Sequence, residues 1–156
     1  MRSDNLDFLK TFANKSLLFV GIGNALKSDD GVGIYISQRL SCQGKWQNLL
    51  VESGIEKFIG KINSLDPDIM ILIDCTDFGK EPGFFRLLPL TDTIDNTFNT
   101  HTISLHSLQD FFKMDKYLLG IQPGDISIGE NFTPAVKTTA DLIIKKINAI
   151  GMRRNK

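Results

Sequence analysis

The chain has 156 residues, a length that suits one domain with a full hydrophobic core. Hydrophobic residues make up 42% of it and charged residues 23%, the composition of an ordinary globular protein. Its 18 basic and 18 acidic residues give a formal net charge of +0. That balance argues against nucleic acid or a membrane surface as the partner, because both attract strongly basic proteins.

The termini and the apolar runs exclude two further classes of protein. Residues 1–13 contain polar side chains throughout and lack the long apolar stretch of a secretion signal. No apolar run approaches the roughly 20 residues that a membrane-spanning helix needs. We therefore predict a single domain over residues 1–156, with an N-terminal extension at 1–14 and a basic tail at 151–156.

The two cysteines indicate a reducing compartment more than a functional centre. Cys42 and Cys75 lie far apart in the sequence and match no zinc-binding spacing. Cys75 has no histidine near it in the sequence that would activate it as a nucleophile. We therefore expect both to be reduced thiols of a cytoplasmic protein.

Strand and helix signals alternate along the chain. Short apolar runs predict five strands, at residues 17–20, 49–51, 68–73, 84–88 and 117–121. Helical spacing and turn signals predict four helices, at residues 32–40, 57–64, 105–113 and 134–150. We expect the third strand to be buried on both faces and the fourth to lie at an antiparallel edge. The predicted fold is a three-layer α/β/α sandwich with a mostly parallel central sheet.

The last helix carries the clearest boundary signals. Thr133 is a good N-cap, and Pro134 suits the first helical position, where its missing N–H does no harm. Gly151 predicts the end of the helix. A stripe of apolar residues at helical spacing is expected to face the core: Val136, Ala140, Ile143, Ile144 and Ile147.

A loop rich in glycine and acid joins the first strand to the first helix. Residues 21–33 read GIGNALKSDDGVG, and ligands bind at such loops in open α/β sheets. The loop starts like a dinucleotide-binding motif, but Leu26 stands where the third glycine belongs, and Asp29 and Asp30 would repel a pyrophosphate. The two acids instead suit a cation or a polar backbone. Alternatively one of them caps the first helix, although a cap needs only one.

Two further polar loops carry candidates for the same site. Asp74 and Asp77 follow the third strand, and His101 and His106 flank the start of the third helix. Carboxylates and an imidazole at one edge of a parallel sheet would form an O,O,N site for a divalent ion. Adjacent carboxylates would alternatively serve as a general acid–base pair. Asp77 also fits a structural role in loop solvation and helix capping.

Four motifs, in order and at similar spacing, resemble those of the hydrogenase maturation endopeptidases, and the resemblance covers nearly the entire chain. The later motifs look most like the branch that serves coenzyme-F420-reducing or formate-linked hydrogenases. The motifs are GIGNALKSDDGVG at 21–33, IDCTDFGKEPG at 73–83, THTISL at 100–105 and LGIQP at 119–123.

The resemblance implies an endopeptidase that matures nickel–iron hydrogenases. Members of this family bind the nickel already inserted in the large-subunit precursor and remove a C-terminal extension. They lack a Ser, Cys or H-E-x-x-H centre, and none is visible here. By motif, the catalytic and nickel-contacting residues fall on Asp30, Asp74 and His101. The nickel would be carried by the precursor, with no tightly bound cofactor of the chain's own, and a monomer is expected.

The choice between the two histidines favours His101. Ser104 is a good N-cap, which places His101 on the preceding loop and His106 in the first helical turn. The family's histidine is followed four residues later by an apolar residue. His101 has Leu105 there, whereas His106 has Asp110. His106 is therefore interpreted as a partly solvated residue at the helix start.

One stretch departs from the family pattern and bears on the precursor. The family usually has a glycine and a proline ahead of a Glu-Asn pair, and Glu52, Ile55 and Lys57 replace three of these residues. We expect this loop to contact the substrate, so the departure concerns precursor specificity more than the reaction. The predicted substrate-binding residues are Asn24, Asp29, Ser53 and Glu56, with Asp29 also serving to cap or orient.

Two functions of other classes compete with the endopeptidase. One is a chaperone that binds the same nickel-bearing precursor without cutting it, which would share the recognition residues. The other is a nucleotide-binding module of flavodoxin type. The acidic first loop argues against the second, because it would repel a phosphate.

Overall fold

A five-stranded sheet forms the centre of the protein. The computed structural model describes residues 3–52, 54–92 and 105–154. The strands are β1 (Leu17–Ile22), β2 (Trp46–Glu52), β3 (Ile69–Cys75), β4 (Phe85–Pro89) and β5 (Asp115–Ile121). Their order is β2-β1-β3-β5-β4; all neighbours are parallel except β4, which runs antiparallel to β5 at one edge. The predicted fold class and the antiparallel edge are confirmed.

Helices cover both faces of this sheet and complete the three layers. They are α1 (Val32–Gln38), α2 (Ile59–Leu65), α3 (Leu105–Leu108) and α4 (Pro134–Arg154). Short 3-10 helices lie at Ser3–Phe12, Ser28–Gly31, Ile55–Phe58, Leu90–Asp92 and Gln109–Phe111. None of the helices in the described ranges combines the length and apolar character of a membrane span.

The central strands of the sheet are buried on both faces because they are almost entirely apolar. All residues of β1 and of β3 are buried, as expected for parallel strands between two helical layers. Odd residues such as Phe19 and Ile71 join one core cluster with α1 and α4. Even residues such as Val20 and Leu72 join a second cluster with α2 and α3. Successive side chains of a strand point to opposite faces of the sheet, so each of these apolar strands contributes residues to both core clusters.

The N-terminal segment is part of the first core, unlike the extension that was predicted. Leu6, Leu9 and Phe12 recur every third residue on the 3-10 helix Ser3–Phe12, and all three are buried. A 3-10 helix has three residues per turn, so this spacing aligns them on one face. Phe8 adds edge-to-face contacts with Phe12 and Tyr117. A period of three differs from the 3.6-residue period of an α-helix, so the sequence pattern of the segment does not indicate an α-helix.

The predicted end of the last helix at Gly151 is wrong, because α4 continues to Arg154. A Cβ added at Gly151 would lie 3.4 Å from ring carbons of Trp46, which is a tight contact. The glycine therefore permits close packing between α4 and the start of β2 and does not cap the helix. Residues 151–154 of the predicted basic tail belong to α4.

Close backbone packing of α1 against the sheet fixes the geometry of the first loop. A Cβ at Gly33 would clash with the carbonyl oxygens of Ile22 and Ile73. A Cβ at Gly21 would approach Ser37 Cβ to 2.6 Å. Both glycines are needed because helix and strands meet through their backbones, directly beside the carboxyl ends of β1 and β3.

Gly33→Ala should lower the free energy of unfolding by about 3 kcal/mol, since the added methyl group must displace backbone atoms. Gly60→Ala is the matched control, because Gly60 also lies in a helix but has open space around its missing Cβ. That substitution should raise stability by about 0.5–1 kcal/mol. Urea denaturation measures both values, and a neutral Gly33→Ala would contradict the proposed contact.

Candidate active site

Asp30 and Asp74 lie at neighbouring strand ends on one edge of the sheet. Asp74 is the penultimate residue of β3, and Asp30 lies in the 3-10 turn Ser28–Gly31 between β1 and α1. β1 and β3 are parallel neighbours, with Gly21 opposite Ile73. Asp30 is 2% exposed and Asp74 is wholly buried. The sheet therefore brings together two predicted site residues that are 44 positions apart.

Backbone groups hold both carboxylates in place. Asp30 Oδ2 accepts a hydrogen bond of 3.1 Å from the N–H of Asn24, and Asp74 Oδ1 accepts one of 2.7 Å from the N–H of Cys75. Gly23 lies directly against the Asp30 carbonyl, where any Cβ would clash, and its φ of 145° favours glycine. The GxG sequence thus lets the loop fold back on the acid.

Asp29 ties the first loop to the loop after β5 and to the start of α4. Its wholly buried carboxylate accepts hydrogen bonds from the N–H groups of Gly124 (2.8 Å) and Asp125 (2.9 Å). It also accepts from the N–H (2.7 Å) and the hydroxyl (2.6 Å) of Thr133. Four donor groups from three residues on two segments therefore converge on one carboxylate.

Neither acid of the first loop caps the first helix, so that alternative is wrong. The N-cap of α1 is Gly31, and no side chain caps it. Asp29 instead lies at the N-terminus of α4, through the N–H of Thr133. Thr133 itself stands at the predicted N-cap, where its carbonyl accepts the N–H of Lys137, but its hydroxyl donates to Asp29. A negative charge at this position also interacts favourably with the positive N-terminal end of the dipole of α4.

Gln122 organises the loop between β3 and β4, a role that its sequence context did not predict. Its buried side chain accepts the N–H groups of Phe78 (2.6 Å) and Lys80 (3.3 Å) through Oε1. Its Nε2 donates to Asp77 Oδ1 at 3.4 Å. The available signal was one polar residue between the apolar β5 and Pro123-Gly124.

Asp77 has the structural role that its sequence context suggested, but in a turn and not at a helix. It is exposed, and its Oδ1 accepts the N–H of Gly79 at 2.9 Å. No helix begins between β3 and β4 in the described structure. Asp77 therefore shapes the loop, while Asp74 is the acid that the sheet buries.

Three carboxylates act electrostatically on the thiol of Cys75. Burial raises the pKa of this thiol, and the negative charges of Asp74, Asp30 and Asp29 raise it further, in that order. The thiol therefore stays protonated at neutral pH and is a poor nucleophile. Cys75 and Cys42 are not joined in a disulfide.

The remaining predicted residues lie around or outside this site. Asn24 is exposed, and its Oδ1 accepts the N–H of Leu26 at 2.9 Å. Glu56 is half-buried in the 3-10 turn that follows the left-handed Gly54. The end of β2 adjoins the first loop, because the backbone carbonyl of Glu52 accepts a hydrogen bond from the N–H of Gly23. Ser53, His101 and the side chain of His106 fall outside the described residues.

Within the described ranges, no group of three or more histidine, cysteine or acidic side chains has the arrangement of a metal site. The described part of the predicted O,O,N set is the pair of carboxylates Asp30 and Asp74. Position 101, which the resemblance assigns as the nitrogen ligand, lies in the gap between 92 and 105.

Comparison with known proteins identifies the family of this three-layer α/β/α chain. The family model HycI, described as hydrogenase maturation protease, matches residues 34–150. The chain belongs to the hydrogenase maturation protease family. It is therefore an enzyme, and its class is that of the endopeptidases that act in hydrogenase maturation. The family model covers Asp74 and position 101, while Asp29 and Asp30 precede its first matched residue.

Individual relatives extend the similarity to the first loop and the whole fold. A Methanocaldococcus jannaschii protein, whose name also assigns it to the hydrogenase maturation proteases, is 30% identical over 94% of both chains. The hydrogenase 3 maturation protease of Escherichia coli K12 is 26% identical over 81% of this chain and 85% of its own. The crystal structure of the HycI maturation protease from Thermococcus kodakarensis superimposes with a TM-score of 0.76, at 26% identity, over 93% of this chain and 99% of that one.

Asp29→Asn should lower the free energy of unfolding of this maturation protease by about 3 kcal/mol. The amide would turn an N–H donor towards groups that are all donors themselves. A simple cap, as expected from the sequence, would be worth only about 1 kcal/mol. Thr133→Val, which removes one of the four hydrogen bonds, should cost about 1 kcal/mol. Chemical denaturation distinguishes the two roles, since equal small losses would argue against the four-donor arrangement.

Proposed function

We propose that this protein removes the C-terminal extension of a hydrogenase large-subunit precursor and recognises the nickel that the precursor carries. The observation that carries the proposal is the pair Asp30 and Asp74. Both are almost wholly buried at adjacent strand ends, and both act electrostatically on the same thiol. Carboxylates are removed from water at a high free-energy cost, so such a pair favours a cationic ligand.

The chemistry of these donors suits nickel that arrives with the substrate. Carboxylate oxygens together with an imidazole nitrogen at position 101 would supply three donors of the kind that borderline divalent ions accept. A structural metal cage has four protein ligands, and thiolates are common among them. We propose that the precursor supplies the remaining ligands, so that binding is transient and reports whether nickel has been inserted.

In this proposal the protein promotes cleavage by positioning the precursor. Asp30, Asp74 and His101 hold the nickel-bearing part of the precursor, and this contact places the scissile peptide bond beside a polarised water or an aspartate. Asn24, Ser53 and Glu56 contact the precursor around that bond. Asp29 acts as a positioning residue, because four donors already occupy its carboxylate. We further propose that the enzyme works as a cytoplasmic monomer.

The names of two relatives support a hydrogenase precursor as the substrate. One is the hydrogenase 3 maturation protease of Escherichia coli. The other is the coenzyme F420 hydrogenase subunit delta of Methanothermobacter thermautotrophicus, 29% identical over 84% of this chain and 91% of its own. We propose that the substrate here is the large subunit of a nickel–iron hydrogenase of one of these branches.

Asp30→Asn and Asp74→Asn should each abolish processing of nickel-loaded precursor. The amide keeps the oxygen that accepts the N–H of Asn24 or of Cys75 but removes the charge that would face the metal. Asp77→Asn is the matched control, because an amide preserves its turn with Gly79 and should leave the rate unchanged. The mass of the precursor before and after incubation measures processing. Wild-type rates for Asp30→Asn or Asp74→Asn would contradict the assignment.

The same assay separates the competing functions. Nickel-loaded precursor should lose mass, whereas precursor prepared without nickel should stay intact at excess enzyme. Efficient cutting of nickel-free precursor would refute recognition through the metal. Stable binding of the nickel-loaded precursor without any loss of mass would instead identify a chaperone. A phosphate-binding module would bind nucleotide or flavin, which the acidic first loop disfavours.

His101→Ala should be inactive on nickel-loaded precursor, and His106→Ala should remain largely active. The proposal needs one imidazole on the loop before α3, and position 106 lies inside α3. The two variants are assayed side by side by precursor mass, with circular dichroism to verify folding. The reverse result would transfer the ligand role to His106.

A further inference from the structure

Two large apolar side chains stand exposed beside the candidate site. Leu26 is 61% exposed in the first loop, and Ile128 is 90% exposed in the loop between β5 and α4. They lie on the two segments that Asp29 ties together. Single exposed apolar residues are ordinary on protein surfaces, but neighbouring ones at the mouth of a site indicate contact with a ligand.

Backbone pairing holds these two side chains next to each other. Lys27 and Gly129 form a parallel β-bridge, in which the N–H of Gly129 donates to the Leu26 carbonyl at 2.9 Å. The N–H of Ser28 donates to the Gly129 carbonyl at 2.8 Å. Residues one position before a parallel bridge face each other on the same side. The backbones of Leu26 and Ile128 are therefore adjacent, each directly before the bridge, and we call the two residues the rim pair.

The backbone under the rim pair is firmly held. The Ser28 hydroxyl donates to the Ser127 carbonyl at 2.8 Å, and the N–H of Asp29 donates to the Asp125 carbonyl at 2.9 Å. Ser28 has a φ of 52°, which is uncommon for a residue with a side chain. The exposure of the rim pair is thus a property of an ordered surface, which loses little entropy when a ligand binds.

The position and size of the rim pair identify its occupant. Leu26 lies two residues after Asn24, whose N–H donates to the Asp30 carboxylate, so Leu26 and Asp30 belong to the same folded loop. A stable dimer buries about 800 Å² on each partner, far more than two side chains offer. The surface matches one or two side chains of an extended segment.

We propose that the rim pair binds an apolar side chain of the hydrogenase precursor next to the peptide bond that is cut. This inference rests on the proposed function and adds a specificity contact to it. The rim pair holds the chain of the precursor by burial of apolar surface, while the carboxylates hold its metal. An apolar residue in the precursor beside the cut is then required for tight binding.

The test compares Leu26→Ser and Ile128→Ser with Met152→Ser. Met152 is the matched control, since it is 65% exposed on α4, away from the first loop. With nickel-loaded precursor as substrate, each rim variant should raise KM about tenfold and leave kcat unchanged. The control should keep both constants. Melting temperatures should not change, because the side chains are exposed.

Binding of the precursor provides a second measurement that does not need cleavage. The Kd for nickel-loaded precursor in which an uncleavable isostere replaces the scissile peptide bond, measured by calorimetry, should rise at least tenfold in the double variant. If the wild type binds but does not cut, the proposed function fails while a raised Kd still supports the rim pair. Unchanged KM and Kd in an active protein would overturn the rim pair alone. A wild-type dimer that the variants dissociate would also overturn it.

Discussion

One buried carboxylate, that of Asp29, holds together the segments from which the site is built. It receives four hydrogen bonds from three residues of the loop after β5 and the start of α4. These hydrogen bonds to a wholly buried carboxylate couple the loops. The neighbouring Asp30 is thereby placed on a backbone that cannot rearrange locally. Of the two adjacent acids, Asp29 has the structural role, and the proposed ligand role belongs to Asp30.

Glycine determines how closely the layers approach around this point. Gly33 allows α1 to contact the carbonyl groups at the ends of β1 and β3, and Gly23 allows the loop to fold onto Asp30. These contacts shorten the path between the first loop and the end of β3. As a result the charge on Asp30 and the charge on Asp74 act on the same thiol. The site is thus a consequence of backbone packing as much as of the acids themselves.

The negative charges of Asp29, Asp30 and Asp74 also affect which chemical groups the site favours. A thiol beside three carboxylates resists ionisation, so Cys75 serves the core and not the reaction. A cation is favoured by those carboxylates for the same electrostatic reason. In the proposed mechanism the substrate supplies the metal, so the protease needs no serine or cysteine nucleophile. The proposed role of the rim pair adds apolar contact to that of the acids, so that recognition would combine charge with burial of apolar surface.

The sequence by itself determined the alternation of strands and helices, the strand-end position of the acids and the family. It did so because apolar periodicity and short glycine-acid motifs are local properties. It did not determine what Asp29 binds, since the donors to its carboxylate lie 95 to 104 positions later in the chain. Gln122, the 3-10 helix Ser3–Phe12 and the passage of α4 through Gly151 likewise depend on contacts between remote segments. Tertiary structure decided these points, because hydrogen-bond partners and packing neighbours far apart in the chain meet only in the fold.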